Sequence, residues 1–155
     1  MGLGRMGRSV AFALAACGVA AGVAHAELAK WNQERVTKYA EELRASTRDL
    51  VQALSTVKAT GVVHKDKYYQ ARETVSLMDN AADGLAAALK SGDGMEATLP
   101  RFERIQTLRK DAEELARKSE LPNDVLEKVF PVGDALFKLR PYYQDEPKPA
   151  ATKAP

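Results

Sequence analysis

Histidine and cysteine are almost absent from this chain of 155 residues, and their scarcity excludes more chemistry than any motif supplies. There are two histidines, His25 and His64, and one cysteine, Cys17. A lone cysteine forms no intramolecular disulfide, and the common zinc sites draw most of their ligands from these two residue types. The Glu-x-x-His motifs of di-iron bundles do not occur, nor does the C-x-x-C-H run of covalent haem attachment. Ser46, Thr47, Ser55 and Thr56 lie in a helical stretch that packing already explains. No glycine-rich loop follows a strand, because no segment alternates like a strand. The expectation is a protein with no catalytic residues, no metal and no cofactor.

A surplus of one charge is also missing. Of the 23 basic and 21 acidic residues, only Arg5 and Arg8 precede Glu27, so the chain from Glu27 onward is formally neutral. Nucleic-acid binding needs a basic face, and no polybasic cluster suggests anionic lipid.

The clearest signal lies at the start. Arg5 and Arg8 precede an uncharged run of small apolar residues from Val10 to Ala24. A run of ~15 residues is short of the ~20 that span a bilayer but fits the core of a secretory signal. Ala24-His25-Ala26 has the small-x-small form of a cleavage site, which makes residues 1–26 the expected signal peptide. Within the same stretch, Leu14-Ala15-Ala16-Cys17 resembles the lipobox of bacterial lipoprotein precursors. That resemblance implies removal of residues 1–16 and lipidation of Cys17. Cleavage after Ala26 is preferred, because the apolar stretch before Cys17 is only ~7 residues and the chain stays apolar after it. Either cut exports the protein, to the periplasm or beyond or to a membrane anchor.

What remains reads as helix. Val36, Leu43, Leu50 and Val57 recur every seven residues, with Tyr39, Ala40 and Leu54 between them, in a first helix from about Leu28 to Val57. Trp31 is expected over the end of the core. Gly61 and Asp66 are the expected C- and N-caps of the next turn. Tyr68, Ala71, Val75, Met78, Ala82, Leu85 and Leu89 follow at alternating spacings of three and four, a helix-packing seam that would also serve self-association. Gly84 interrupts that helix where a neighbour would approach closely. "SGDG" at 91–94 is a turn, with Asp93 and Glu96 in the form of a capping box. Phe102, Ile105, Leu108, Ala112 and Leu115 make a third stripe, and Val125, Val129, Val132, Leu136 and Leu139 a fourth. Pro131 and Gly133 interrupt the fourth, which predicts two short helices or one kinked helix.

The predicted fold is therefore all-α: an up-and-down antiparallel bundle of three long helices plus a broken, Pro-kinked fourth, over residues 27–143. Residues 144–155 form a Pro/Ala/Lys tail without apolar periodicity, expected to be disordered. In size and helix count the bundle is similar to the cytochrome c-prime class, but the haem-attachment residues are missing. His64 and Met78, fourteen positions apart, would stand about 21 Å apart on one helix and could not grip one iron.

Two tyrosine pairs, Tyr68-Tyr69 and Tyr142-Tyr143, open the second helix and close the last. Neighbours on a helix diverge by about 100°, so one member of each pair is expected in the core and the other outside, available to a partner. The expected function is a non-catalytic binding or scaffolding module of the cell envelope, with another envelope protein or a second copy as partner. A bundle carrying a small apolar molecule or haem is the alternative, and would place its cavity beside Ala81, Ala82 and Gly84.

Overall fold

The computed structural model describes residues 28–58, 65–119 and 121–144. Within them the regular structure is four helices: α1 Gln33–Thr56, α2 Lys65–Lys90, α3 Met95–Ser119 and α4 Asn123–Tyr143. The expected signal segment with Cys17, the expected Gly61 cap, His64 and the residues beyond Gln144 lie outside the described residues.

Local chemistry sets the helix ends. Asn32 caps α1, its side chain accepting the Arg35 N–H at 2.9 Å, so the helix begins five residues later than its apolar pattern suggests. Asp66 lies inside the first turn of α2 rather than before it. At the far end of α2, Gly92 adopts φ +92°, and the Asp93 N–H reaches back to the Ala88 carbonyl at 3.0 Å. This left-handed closure commits Asp93 to ending α2. The expected capping box is thereby displaced: α3 starts at Met95, and the Gly94 carbonyl accepts both the Thr98 N–H and the Thr98 hydroxyl. Pro100 falls in the second turn of α3, beyond the N–H groups that lack helical partners, yet the helix continues.

In α4 the chain passes through Pro131 without a break, so the two-helix form of the expectation does not occur. Pro131 lies on the exposed side of α4, while the core side, Val125, Val132, Ala135, Leu136 and Leu139, remains continuous.

The apolar stripes meet in one core. Every seam residue of α2 from Tyr68 to Leu89 is buried, as are Val36, Ala40, Leu43, Leu50 and Leu54 of α1. The first helix packs between α2 and α4, while α3 packs on the outer flank of α2 and meets α4 only marginally. Cross-links pin these neighbours. From α1 to α2 they join Glu41 to Lys90, Arg44 to Asp83 at 3.2 Å, and Thr47 to Asp79 at 3.0 Å. The Tyr68 hydroxyl donates to the Leu54 carbonyl. On the other flank of α1, Trp31 meets Tyr143, Tyr39 meets Tyr142, and Glu42 pairs with Lys138 at 3.1 Å. Gly84 has a specific neighbour: a Cβ there would stand 3.0 Å from the Arg101 guanidinium of α3.

Among the described residues no helix is long and apolar enough to cross a membrane.

Candidate functional site

The tyrosine pairs do not form a surface. Tyr68, Tyr142 and Tyr143 are buried, and only Tyr69 is exposed, stacked edge-on against Tyr68. One exposed member per pair therefore holds for the first pair and fails for the second. The reason is the segment before α1. It lays Trp31 across the end of the bundle, where the indole meets the rings of Tyr142 and Tyr143 at near right angles, 6.4 and 5.6 Å between centroids. Tyr143 also stacks on Phe102 at 4.4 Å, and its hydroxyl shares a hydrogen bond with that of Thr98. Burial pushes the Tyr143 phenol above its ordinary pKa, partly offset by that hydrogen bond.

Gln33 locks the same end. Its amide accepts from the Trp31 indole N–H at 2.8 Å and donates to the Leu89 and Asp93 carbonyls at 2.7 and 3.1 Å. This end is a closed plug.

The open part of the molecule lies between α3 and α4. Tyr143 ties these helices together at the aromatic end through Thr98 and Phe102, and residues 120–122 link them at the other. Between those points a cleft of about 510 Å³ opens. Its floor is core: Leu50 and Leu54 from α1, with Val75 and Met78 from α2. One wall is Ala112 and Ala116 of α3; the other is Leu126, Val129, Phe130 and Gly133 of α4. Arg109, Glu113 and Arg117 supply the polar rim.

The α4 wall has an unusual amount of uncovered apolar surface. Phe130 is 75% exposed and Phe137 is 69% exposed, with Leu126 also outside the core. These three lie about 100–140° around α4 from Val125, on the side where α3 is not pressed against it. A sequence signal for them existed: Leu126, Phe130 and Phe137 form a second apolar line at spacings of four and seven, displaced from the core stripe. It was hidden because a helix of a bundle is expected to have one apolar face.

The cleft is not where the small residues of α2 suggested. Ala82 is buried in the core, while Ala81 lines a separate groove of about 420 Å³ on the α2–α3 face with Leu77, Pro100, Arg101 and Arg104. Gly84 is answered by the Arg101 side chain, not by a cavity.

A second, smaller recess of about 120 Å³ adjoins the cleft. Gln106, Arg109, Gly133, Leu136, Phe137 and Arg140 line it, and Arg109 and Gly133 line both compartments. Arg109 forms an ion pair with Glu113, 3.0 Å from Nη1, while its buried Nε has no hydrogen-bond partner among the described residues. Compared with family models, with curated proteins and with solved structures, the chain matches none.

Proposed function

We propose that the protein is an exported, non-catalytic binding module of the cell envelope, and that it binds through the cleft between α3 and α4. One observation carries the reading: a concave apolar surface, floored by core side chains and bordered by the exposed Phe130, is left open between α3 and α4. Large exposed apolar surface beside a pocket is the ordinary mark of a binding site. About 510 Å³ falls within the ~300–1,000 Å³ typical of small-molecule pockets. The order of the cross-links, with rising positions on α1 meeting falling positions on α2 and α4, supports an up-and-down antiparallel bundle as the scaffold.

The size of the cleft also favours the ligand-carrying form of this reading, with a small apolar molecule as cargo. A titration with Nile red, a neutral apolar dye, tests it. Saturable binding at one dye per chain, lost in Gly133→Leu, is the expected result. Non-saturable binding, or binding indifferent to Gly133→Leu, overturns it. Export is tested by the intact mass of the protein from its native envelope. A chain starting at Glu27 supports a soluble exported protein, and one starting at a lipidated Cys17 a membrane-anchored one. A chain that retains Met1 overturns export.

A further inference from the structure

Taking the cleft as the binding surface, we propose that it and the adjoining recess form one two-part site for a single-chain anionic amphiphile. The hydrocarbon lies in the cleft, and a carboxylate or phosphate group lies in the recess among Gln106, Arg109 and Arg140. Four features point to this division.

The two compartments are continuous, because Arg109 and Gly133 line both. At Gly133 a Cβ would meet nothing within 4 Å, so the missing side chain leaves the passage between them open.

Their chemistry differs. The large compartment is walled by Leu, Val, Ala, Met and Phe side chains, whereas the small one gathers an amide and two guanidinium groups against Leu136 and Phe137.

The polar groups of the recess are undersupplied with partners. The buried Arg109 Nε has no hydrogen-bond partner among the described residues. Gln106 is mostly buried as a residue, but its amide lines the recess and is open to it. Arg140 has no ion pair among the described residues. A buried donor without an acceptor is unfavourable, and an anion oxygen answers several donors at once.

The charge count agrees. Arg109, Arg117 and Arg140 border the two compartments against one acid, Glu113, which is already bonded to Arg109. Along α3 the cleft runs from Arg109 to Arg117, about 12 Å at the helical rise, which suits a chain of medium length. A free fatty acid and a lysophospholipid share this chemistry.

The test compares dodecanoate, dodecanol and a twelve-carbon lysophosphatidylglycerol by calorimetric titration of the full chain, with Arg140→Gln and Gly133→Leu as variants. Urea unfolding of both variants confirms that they fold. Dodecanoate or the lysolipid is expected to bind one per chain and at least tenfold more tightly than dodecanol. Arg140→Gln removes that preference without weakening dodecanol, and Gly133→Leu abolishes all binding. Tighter dodecanoate binding identifies a free fatty acid as the natural source, and tighter lysolipid binding a membrane-derived lipid; both support the site. Equal binding of acid and alcohol, unaffected by Arg140→Gln, overturns the anion recess but leaves the apolar cleft standing. No binding, with a dimer by light scattering that Phe130→Ser converts to monomer, assigns the groove to a second copy and overturns both.

Discussion

The hydroxyls of Thr98 and Tyr143, forty-five positions apart in sequence, lie 2.9 Å from each other in the buried seam between α3 and α4. Thr98 has a second bond, to the Gly94 carbonyl, but Tyr143 has no other hydroxyl partner. Tyr143→Phe should therefore cost about 1 kcal/mol, the ordinary net value of one hydrogen bond, with the ring stack on Phe102 kept. Urea midpoints of the two proteins at neutral pH check this.

The same phenol makes stability fall in alkali. Its pKa is raised above 10.0 in the fold by burial, so the unfolded chain loses this proton first. Its contribution is complete below about pH 10 and is lost as pH rises through the higher folded value. Lys138 works in the same direction: hydrogen bonds to Asp134 and Glu42 raise its pKa above 10.5. A series of urea midpoints from pH 8 to 11.5 should be flat and then fall, with a shallower fall in Tyr143→Phe.

Asp79 links α1 to α2 by accepting from the buried Thr47 hydroxyl at 3.0 Å and facing Arg48 at 3.6 Å. Removing this carboxylate in Asp79→Ala is expected to cost about 1 kcal/mol, because the single hydroxyl hydrogen of Thr47 keeps the Arg44 carbonyl as an acceptor at 3.0 Å. Thr47→Val in that background should add little, and the double-mutant cycle measures the coupling.

Two glycines should respond oppositely to alanine. Gly84→Ala gains about 1 kcal/mol of helix propensity, and the contact it creates is with the flexible end of Arg101, which swings toward solvent. Gly92→Ala forces a side chain into φ +92° and should lose about 1 kcal/mol or more. Thermal midpoints of the two variants should lie on either side of the parent.

Phe130 makes little contribution to the fold, since three quarters of it is already in water. Phe130→Ser should leave the urea midpoint within about 0.5 kcal/mol of the parent, while weakening Nile red binding. A large loss of stability would show that Phe130 is a core residue and remove it from the cleft wall.

How much of this was legible in the sequence differs from helix to helix. The α2 seam was fully readable, because all seven of its positions are apolar and buried and the three-four spacing marks one face of a helix. In α1 the stripe was readable apart from Thr47, whose burial depends on Asp79 from another helix. Thr98 and Gln106 of α3 and the C-terminal tyrosines escaped for the same reason: polar or amphipathic residues enter the core only where a particular partner receives them. The cleft was the least legible part. It comes from how far α3 stands from α4, and periodicity reports which side of a helix is apolar, not how tightly a neighbour closes over it.

The backbone bond between the Ala29 N–H and the Pro141 carbonyl, 2.7 Å long, brings the two ends of the described chain side by side. The order of assembly follows from it. Of the four described helices α1 leaves the ribosome first and yet becomes the central one, and its α4 flank stays bare until α4 has been made. Tyr39 and Trp31 therefore wait for Tyr142 and Tyr143 through more than a hundred residues of synthesis. A chain stopped before Tyr142 would have most of α4 but would leave Tyr39 and Trp31 without the rings that cover them.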